Sequence, residues 1–168
     1  KGIDLVVQAL PAILDAGATL IVLGDGDRSL EQQFGELARR MPNRIAAFFR
    51  FDDTLARRLY AAADFFLMPS RYEPCGLGQM IAQRYGSLPI VRATGGLRDT
   101  VEDGSTGFVF HDTSPYALLE AVRRALGVWQ QPDWGAMRKR CMELNWSWGN
   151  SAGQYEDVYR YAIGPSGS

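Results

Sequence analysis

The twelve residues PSRYEPCGLGQM (residues 69–80) separate two apolar segments, ADFFLM (residues 63–68) and IAQRYGSLPIV (residues 81–91). The first segment predicts a buried strand, and the second predicts a helix that is followed by another strand. A plain turn between a strand and a helix needs only a few residues such as Gly, Asn or Asp. This stretch also contains Arg, Tyr, Glu and Pro, and we therefore interpret it as a functional loop.

The same alternation of strand and helix patterns continues on both sides of this loop. Apolar runs predict five strands, and helical spacing of apolar residues predicts helices between them. Because the strand runs are apolar throughout, they predict a doubly wound, Rossmann-like parallel sheet, an α/β fold with helices on both faces. The predicted strands lie at residues 18–24, 44–49, 64–68, 88–92 and 108–110.

The chain begins with a predicted helix, residues 2–14, whereas a Rossmann-like unit normally begins with a strand that lies centrally in the sheet. We therefore expect that the first strand is missing and that the chain is part of a longer protein. Without it, the strands at residues 20–23 and 65–68 would each have an unpaired edge. We expect these strands either to pair directly with each other or to be paired by another chain in an edge-strand-mediated oligomer.

Composition limits the classes of partner. The 168 residues are 46% hydrophobic and carry a net charge of −1, which argues against a nucleic-acid or membrane-surface partner. The two cysteines, Cys75 and Cys141, do not form a disulfide framework and favour a reducing, cytoplasmic compartment. A single histidine gives no basis for a metal site. We expect one domain over residues 1–163, followed by a tail or cloning scar over residues 164–168.

Three predicted loops follow the carboxyl ends of strands, where ligands bind in an open parallel sheet. In LGDGD (residues 23–27) the third glycine of a dinucleotide fingerprint is missing, so Gly24 predicts a tight turn that a ligand can approach. In the loop at residues 69–77, Gly76 and Leu77 are predicted to begin a helix, whose free amides form an anion site. Glu73 lies too close to that anion to bind it and would instead accept hydrogen bonds from sugar hydroxyls.

The third loop is TGGL (residues 94–97), whose two glycines would let the backbone approach a phosphate beside the Thr94 hydroxyl. Structural explanations exist for both glycine-bearing loops. Glu73 could interact with a helix dipole, Cys75 could be a small buried apolar residue, and TGGL could be a plain turn. Two such loops from adjacent strands favour a phosphate site.

Six motifs along the chain resemble the bacterial glycogen synthases and plant starch synthases. This resemblance implies a retaining glucosyltransferase of the GT-B architecture, which has two Rossmann-like domains. It covers the second domain alone and makes residues 1–163 a nucleotide-sugar-binding C-terminal domain, in which residues 146–163 cross back to the first domain. The motifs are KGIDL (1–5), LGDGD (23–27), ADFFLMPSRYEPCGL (63–77), YGSLPIVRATGGL (85–97), TGFVF (106–110) and SWGNSAGQYEDVY (147–159).

The resemblance also implies roles for individual residues. Lys1 matches a lysine that faces the nucleotide diphosphate, and Glu73 matches a glutamate that contacts the transferred glucose; both are candidate catalytic residues. Phe51 stands where the family often has a tyrosine stacked on adenine. The implied nucleotide-sugar-binding residues are Gly24, Phe51, Ser70, Cys75, Gly76, Leu77, Thr94, Gly95 and Gly96.

The implied reaction is the transfer of glucose from ADP-glucose to the non-reducing end of an α-1,4-glucan, without a metal or other cofactor. The glucan would bind through the first domain, so we expect the chain to be inactive alone. The compartment would be the cytoplasm, or the plastid stroma of a plant or alga. Two alternatives stay open: a stand-alone module that senses nucleotide or glucan, and a transferase that uses another nucleotide sugar such as UDP-glucose.

Overall fold

Short apolar runs form the five parallel strands of this protein in a computed structural model that describes residues 1–164. Most of the proposed tail therefore lies outside the described residues. The strands are β1 (Leu20–Leu23), β2 (Ile45–Phe48), β3 (Phe65–Met68), β4 (Leu88–Arg92) and β5 (Phe108–Phe110).

Helices alternate with the strands, and their ends follow local capping signals. Ser114 caps α6 by accepting a hydrogen bond from the Ala117 amide at 3.1 Å, and Pro115 occupies the first turn, as the sequence predicts. Asp27 caps α2 in the same way. The helices are α1 (Ile3–Asp15), α2 (Arg28–Arg40), α3 (Asp53–Ala62), α4 (Gly78–Tyr85), α5 (Gly95–Thr100), α6 (Pro115–Trp129), α7 (Trp134–Glu143) and α8 (Trp148–Ile163).

The helices form two groups that cover both faces of the strands. α1 packs against α2 and α6, whereas α4 packs against α3, α5 and α7. β4 contacts both α4 and α6. Its side chains accordingly enter two cores: Leu88 and Ile90 join the larger one with α1 and α6, and Val91 joins a smaller one with Leu97. The parallel α/β fold predicted from sequence is confirmed.

The strands divide into two sheets, β1–β2 and β3–β4–β5, and all pairs are parallel. β1 and β3 are not hydrogen-bonded to each other among the described residues, so direct pairing of these two strands is wrong. The helix layer explains the separation. α1 packs between α2 and α6, and packed helices are about 8–10 Å apart whereas paired strands are about 4.8 Å apart.

The last helix, α8, does not bury its apolar side chains. The sequence predicts an apolar face with Tyr155, Val158, Tyr159 and Ala162, which the family resemblance expects to be buried against the first domain. In this chain Tyr155, Val158 and Tyr159 are each about 60% exposed. Trp148 at the start of the helix is 87% exposed. The reason is that α8 packs extensively against no other helix or strand within residues 1–164. No helix in the same range is long and apolar enough to cross a lipid bilayer.

The open edge of β1 predicts uneven protection of its amides from hydrogen exchange. The amide of Leu20 donates to the carbonyl of Arg44, just before β2, and that of Gly24 donates to the Phe48 carbonyl at the end of β2. Alternation along a strand therefore directs the amides of Ile21 and Leu23 to the open edge. We expect Ile21 and Leu23 to exchange faster than Val22 by about tenfold or more, as measured by NMR.

The internal control is Ile90, because β4 is paired on both sides and should protect all of its amides. Equal protection at Ile21, Val22 and Leu23 would contradict the open edge.

Candidate functional site

The candidate site lies where β3 and β4 end, at the shared carboxyl edge of the larger sheet. β3 leads into a loop at residues 69–77, and β4 leads through Thr94 directly into α5. Two predicted boundaries need correction. α4 begins at Gly78 with Leu77 as its N-cap, so Gly76 precedes the helix, and the glycine pair Gly95–Gly96 opens a short helix instead of lying in a loop.

Glu73 is the central charged group of this site. Its side chain is largely buried, and the Lys1 ammonium lies 2.5 Å from its Oε2 atom. The hydroxyl of Ser70, itself buried, donates to the same oxygen at 3.2 Å. A buried carboxylate requires such partners, because the loss of hydration is otherwise uncompensated. The structure thus brings together three residues that the sequence analysis selected.

Two arginines attach the Glu73 loop to the rest of the fold. Arg92 at the end of β4 donates from Nε to the Ser70 carbonyl at 2.8 Å and also hydrogen-bonds the Arg71 carbonyl. Arg71 forms a bidentate ion pair with Asp4 of α1, at 2.6 and 2.8 Å. The hydrogen bond from Arg71 lowers the pKa of Asp4 below its ordinary value. The loop is therefore held between α1 and β4.

The two glycine-bearing segments pack main chain against main chain. A Cβ atom on Gly95 would lie 2.1 Å from the Glu73 carbonyl oxygen, and one on Gly96 would lie 2.3 Å from that of Cys75. The Gly96 amide donates to the Pro74 carbonyl at 3.1 Å. Gly95 also has a φ of +43°, which favours glycine. No other residue type fits either position without moving the loop.

Backbone amides at this contact remain available to a ligand. The N–H groups of Gly76 and Leu77 donate to no acceptor within the described part of the chain, and the Thr94 hydroxyl also makes no hydrogen bond there. Leu77 is 67% exposed. Cys75 is also exposed, so it is not the small buried apolar residue that the purely structural explanation requires. Free amides beside Lys1 can bind an anion.

Gly24 and Phe51 follow the carboxyl ends of β1 and β2, so they belong to the smaller sheet. Within residues 1–164, neither residue makes a backbone hydrogen bond to the loop at residues 69–77. Phe51 is 88% exposed, and a Cβ on Gly24 would meet no atom within 4 Å. Both positions are open to a ligand, but the structure does not join them to the residues around Glu73.

Two grooves of the structure leave out Glu73, although one of them reaches the edge of the site at Leu77. One, of about 490 Å³, lies between α1 and α2 near the amino ends of the strands and is lined by residues such as Leu14 and Met41. The other, of about 590 Å³, lies between α4 and the α7–α8 connection and includes Leu77. Neither groove includes Glu73 or Gly96.

The sequence analysis missed Asp4, Arg92 and Gln79 as residues that support the site. The Asp4–Arg71 pair joins residues 67 positions apart, so no local pattern predicts it. A signal for Gln79 does exist. It lies three and four positions before Ala82 and Gln83, and this spacing places all three on the buried face of α4. A glutamine on such a face calls for a specific hydrogen-bonding role.

The two thiols should differ sharply in reactivity. Burial raises the pKa of Cys141 to about 11, whereas Cys75 is exposed at the site. At neutral pH we expect a thiol reagent such as Ellman's reagent to modify Cys75 readily and Cys141 only after unfolding, because the thiolate is the reactive form.

The matched variants are Cys75→Ser, which should abolish the fast reaction, and Cys141→Ser, which should leave it unchanged. Equal rates for both thiols in the native protein would contradict the assigned burial.

Comparison with known proteins places this geometry in a family. The family described as "Glycosyl transferases group 1" matches residues 1–127. Glycogen synthases are similar to the chain: that of Syntrophotalea carbinolica is 48% identical over 97% of this chain and 35% of its own length. That of Pseudomonas aeruginosa is 48% identical over 95% of this chain and 31% of its own length. The chain thus spans about a third of the relatives that it matches.

Solved structures agree with this result. The catalytic domain of starch synthase IV from Arabidopsis thaliana, solved with ADP and acarbose, has a TM-score of 0.85 and 33% identity. The match covers 95% of this chain and 35% of that one. A sucrose-phosphate synthase from Thermosynechococcus elongatus has a TM-score of 0.68 and 26% identity over 97% of this chain and 42% of that one.

Proposed function

Because the chain belongs to the group 1 glycosyl transferases, we propose that it is the nucleotide-sugar-binding domain of a glycogen or starch synthase. The complete protein would transfer glucose from ADP-glucose to the non-reducing end of an α-1,4-glucan, with retention of configuration. The chain corresponds to about a third of its glycogen synthase relatives. The glucan would therefore contact other parts of the complete protein, and this chain alone would bind the donor without transferring glucose.

One observation carries this proposal: a buried carboxylate, an ammonium and two glycine-bearing segments meet at one edge of a parallel sheet. The free amides of Gly76 and Leu77 and the Thr94 hydroxyl, which has no partner among the described residues, supply hydrogen-bond donors without charge. Lys1 supplies a positive charge whose side chain is 67% exposed. A diphosphate needs both kinds of group, and an uncharged sugar hydroxyl needs an acceptor such as Glu73.

In this proposal the Lys1 ammonium reduces the repulsion between Glu73 and the bound diphosphate. Glu73 and a diphosphate bound at the neighbouring amides would repel each other, since both are anionic. The Lys1 ammonium has three hydrogens, so it can keep its contact with Glu73 and also donate to a phosphate oxygen. The ion pair seen in the structure would then become the bridge between the sugar end and the phosphate end of the donor.

The same groups would assist the reaction by stabilising the departing diphosphate. Negative charge on the leaving group grows as its bond to glucose breaks, and donors fixed in advance stabilise that charge in the transition state. Arg92 and Arg71 hold the loop that carries Glu73, so these donors are fixed before the donor binds. Preorganised donors need no rearrangement during the reaction.

Adenine is the base that we propose, with Phe51 as a stacking surface for it. The 88% exposed ring offers a free face, although it lacks the hydroxyl of a tyrosine. The starch synthase IV relative was solved with ADP, which supports the choice of an adenine nucleotide. An aromatic ring can stack on any base, so the exposed ring by itself does not select adenine. Competition between ADP and UDP in a binding assay decides between the two donors.

The phosphate contacts predict a ranking of adenine nucleotides. If the free amides and Lys1 hold the second phosphate, ADP should bind this chain at least about tenfold more tightly than AMP, since a charge-assisted hydrogen bond contributes about 1.5–3 kcal/mol. AMP and adenosine should both bind more weakly than ADP. Bound ADP should also slow the modification of Cys75 by a thiol reagent. Isothermal titration calorimetry measures the affinities.

UDP serves as the comparison for the base, and inorganic diphosphate serves as the comparison for charge alone. Equal affinity for ADP, AMP and adenosine would refute the diphosphate assignment. Tight ADP binding by a complete protein that transfers no glucose would instead favour a sensing module.

Glu73 should matter for turnover and not for ADP affinity. In the complete protein, Glu73→Gln keeps the shape of the side chain and removes its charge. We expect kcat to fall by about 10²-fold or more, because contacts to the sugar strengthen in the transition state. ADP should bind at least as tightly as before, since Lys1 is released from its partner.

Glu120→Gln on α6, where the carboxylate pairs with Arg123 on the surface, is the control and should change neither quantity. A Glu73→Gln protein with normal kcat and weakened ADP binding would show that Glu73 acts on the phosphate end.

A further inference from the structure

Gln79 lies under the contact between the two glycine-bearing segments. It belongs to the first turn of α4 and is completely buried. Its Nε2 group has two hydrogens, one of which is shared, and donates to three acceptors: the carbonyls of Cys75 and Gly76, at 3.2 and 3.0 Å, and the Thr100 hydroxyl at 3.0 Å. That hydroxyl donates in turn to the Gly96 carbonyl at 2.5 Å. A continuous chain of hydrogen bonds thus runs from one segment, through two side chains, to the other.

The orientation of the Gln79 amide is fixed by these partners. Both carbonyl oxygens can only accept, so the nitrogen must face them. Its Oε1 atom is left buried without a partner among the described residues. A buried unpartnered oxygen destabilises a fold, and a methionine of similar length would fill the same space without one. Packing alone therefore does not account for a glutamine here, whereas the hydrogen bonds to the two segments do.

Gln83 provides a natural comparison one turn further along α4. It is also completely buried and also has an unpartnered Oε1 atom. Its Nε2 group donates to the carbonyls of Thr100 and Thr106, at 3.0 and 3.3 Å. It makes no hydrogen bond to residues 73–77 within the described chain. Gln83 thus attaches α5 to α4, and of these two glutamines Gln79 is the one whose hydrogen bonds connect both segments at the site.

We propose that Gln79, together with Thr100, is a positioning residue that sets the spacing between the amide donors at residues 76–77 and the backbone at residues 94–96. The part of this inference that concerns the ligand rests on the proposed function. A diphosphate that is held by both segments at once requires them at a fixed separation, and small errors in such a separation weaken binding and slow the reaction. The side chains themselves lie beneath the loops and need not touch the ligand.

The test compares four variants in two measurements. Gln79→Met and Thr100→Val remove the connecting hydrogen bonds while keeping side-chain size, whereas Thr100→Ser keeps the hydroxyl and Gln83→Met removes the neighbouring glutamine. The first measurement is NMR amide exchange of Gly96 in the nucleotide-free chain, because this amide donates to Pro74 across the contact. The second is ADP affinity by calorimetry.

We expect Gln79→Met and Thr100→Val to speed Gly96 exchange by about tenfold and to weaken ADP binding by about fivefold or more. Thr100→Ser and Gln83→Met should stay within about twofold of the original protein in both measurements. The thermal stability of the two glutamine variants is not used to compare them, because both lose buried hydrogen bonds whether or not the segments at the site move. If the Gln79→Met variant does not fold, comparison of Thr100→Val with Thr100→Ser provides the same test.

Unchanged Gly96 exchange in Gln79→Met and Thr100→Val, or an equal increase in Gln83→Met, would overturn the positioning role. Faster exchange with unchanged ADP affinity would overturn its link to the ligand. Failure of the unsubstituted chain to bind ADP more tightly than adenosine would count against the proposed function, while the exchange of Gly96 would still decide whether Gln79 couples the segments.

Discussion

The close approach of two backbones, at residues 73–75 and 95–96, is the constraint on which the rest of the site depends. Side chains cannot fit between them, since a Cβ on either glycine would overlap a carbonyl oxygen. This contact brings the end of β4 against the loop that follows β3, so donors from two strands reach one place. Three charged groups of the site connect to that contact: Glu73 belongs to one of the two backbones, Lys1 pairs with Glu73, and Arg92 donates to the Ser70 carbonyl of the same loop.

Strand pairing and attachment to α1 both hold this backbone contact in place. Adjacent parallel strands β3 and β4 fix where the two segments begin, with Met68 in register with Val91. Arg71 and Asp4 attach the loop to α1. Gly2, which precedes α1, lies directly against the start of the same loop, because a Cβ on Gly2 would lie 2.0 Å from the Pro69 carbonyl oxygen. Lys1 precedes that glycine, so the contact between Gly2 and Pro69, the residue after β3, also holds the ammonium beside Glu73. Stability and site geometry thus share the same contacts.

The sequence predicted the features that depend on local pattern and failed where distant residues decide. Apolar runs located all five strands, and Ser114–Pro115 located the start of α6. The glycines and Glu73 were selected correctly as neighbours, since loops at strand ends meet at one edge. The Asp4–Arg71 pair and the chain from Gln79 to Thr100 were missed because each joins elements far apart in sequence. Of the two arrangements expected for β1 and β3, direct pairing was wrong, because strand patterns carry no information about the helix layer, in which α1 packs against both α2 and α6. Pairing by another chain stays a prediction.

The separation of the two sheets also explains why two of the candidate residues lie apart from the cluster around Glu73. Gly24 and Phe51 extend from β1 and β2, which form their own sheet, so their distance from Glu73 is not fixed by any strand pair. The base and the phosphates of a nucleotide would therefore contact two parts of the chain that are connected through α1 and its neighbours. Binding of a nucleotide across both would favour one relative placement of the two sheets over others, because a ligand stabilises the arrangement to which it binds best. The phosphate end, by contrast, meets segments whose spacing is already set by Gln79 and by the glycines, and this end should determine most of the affinity.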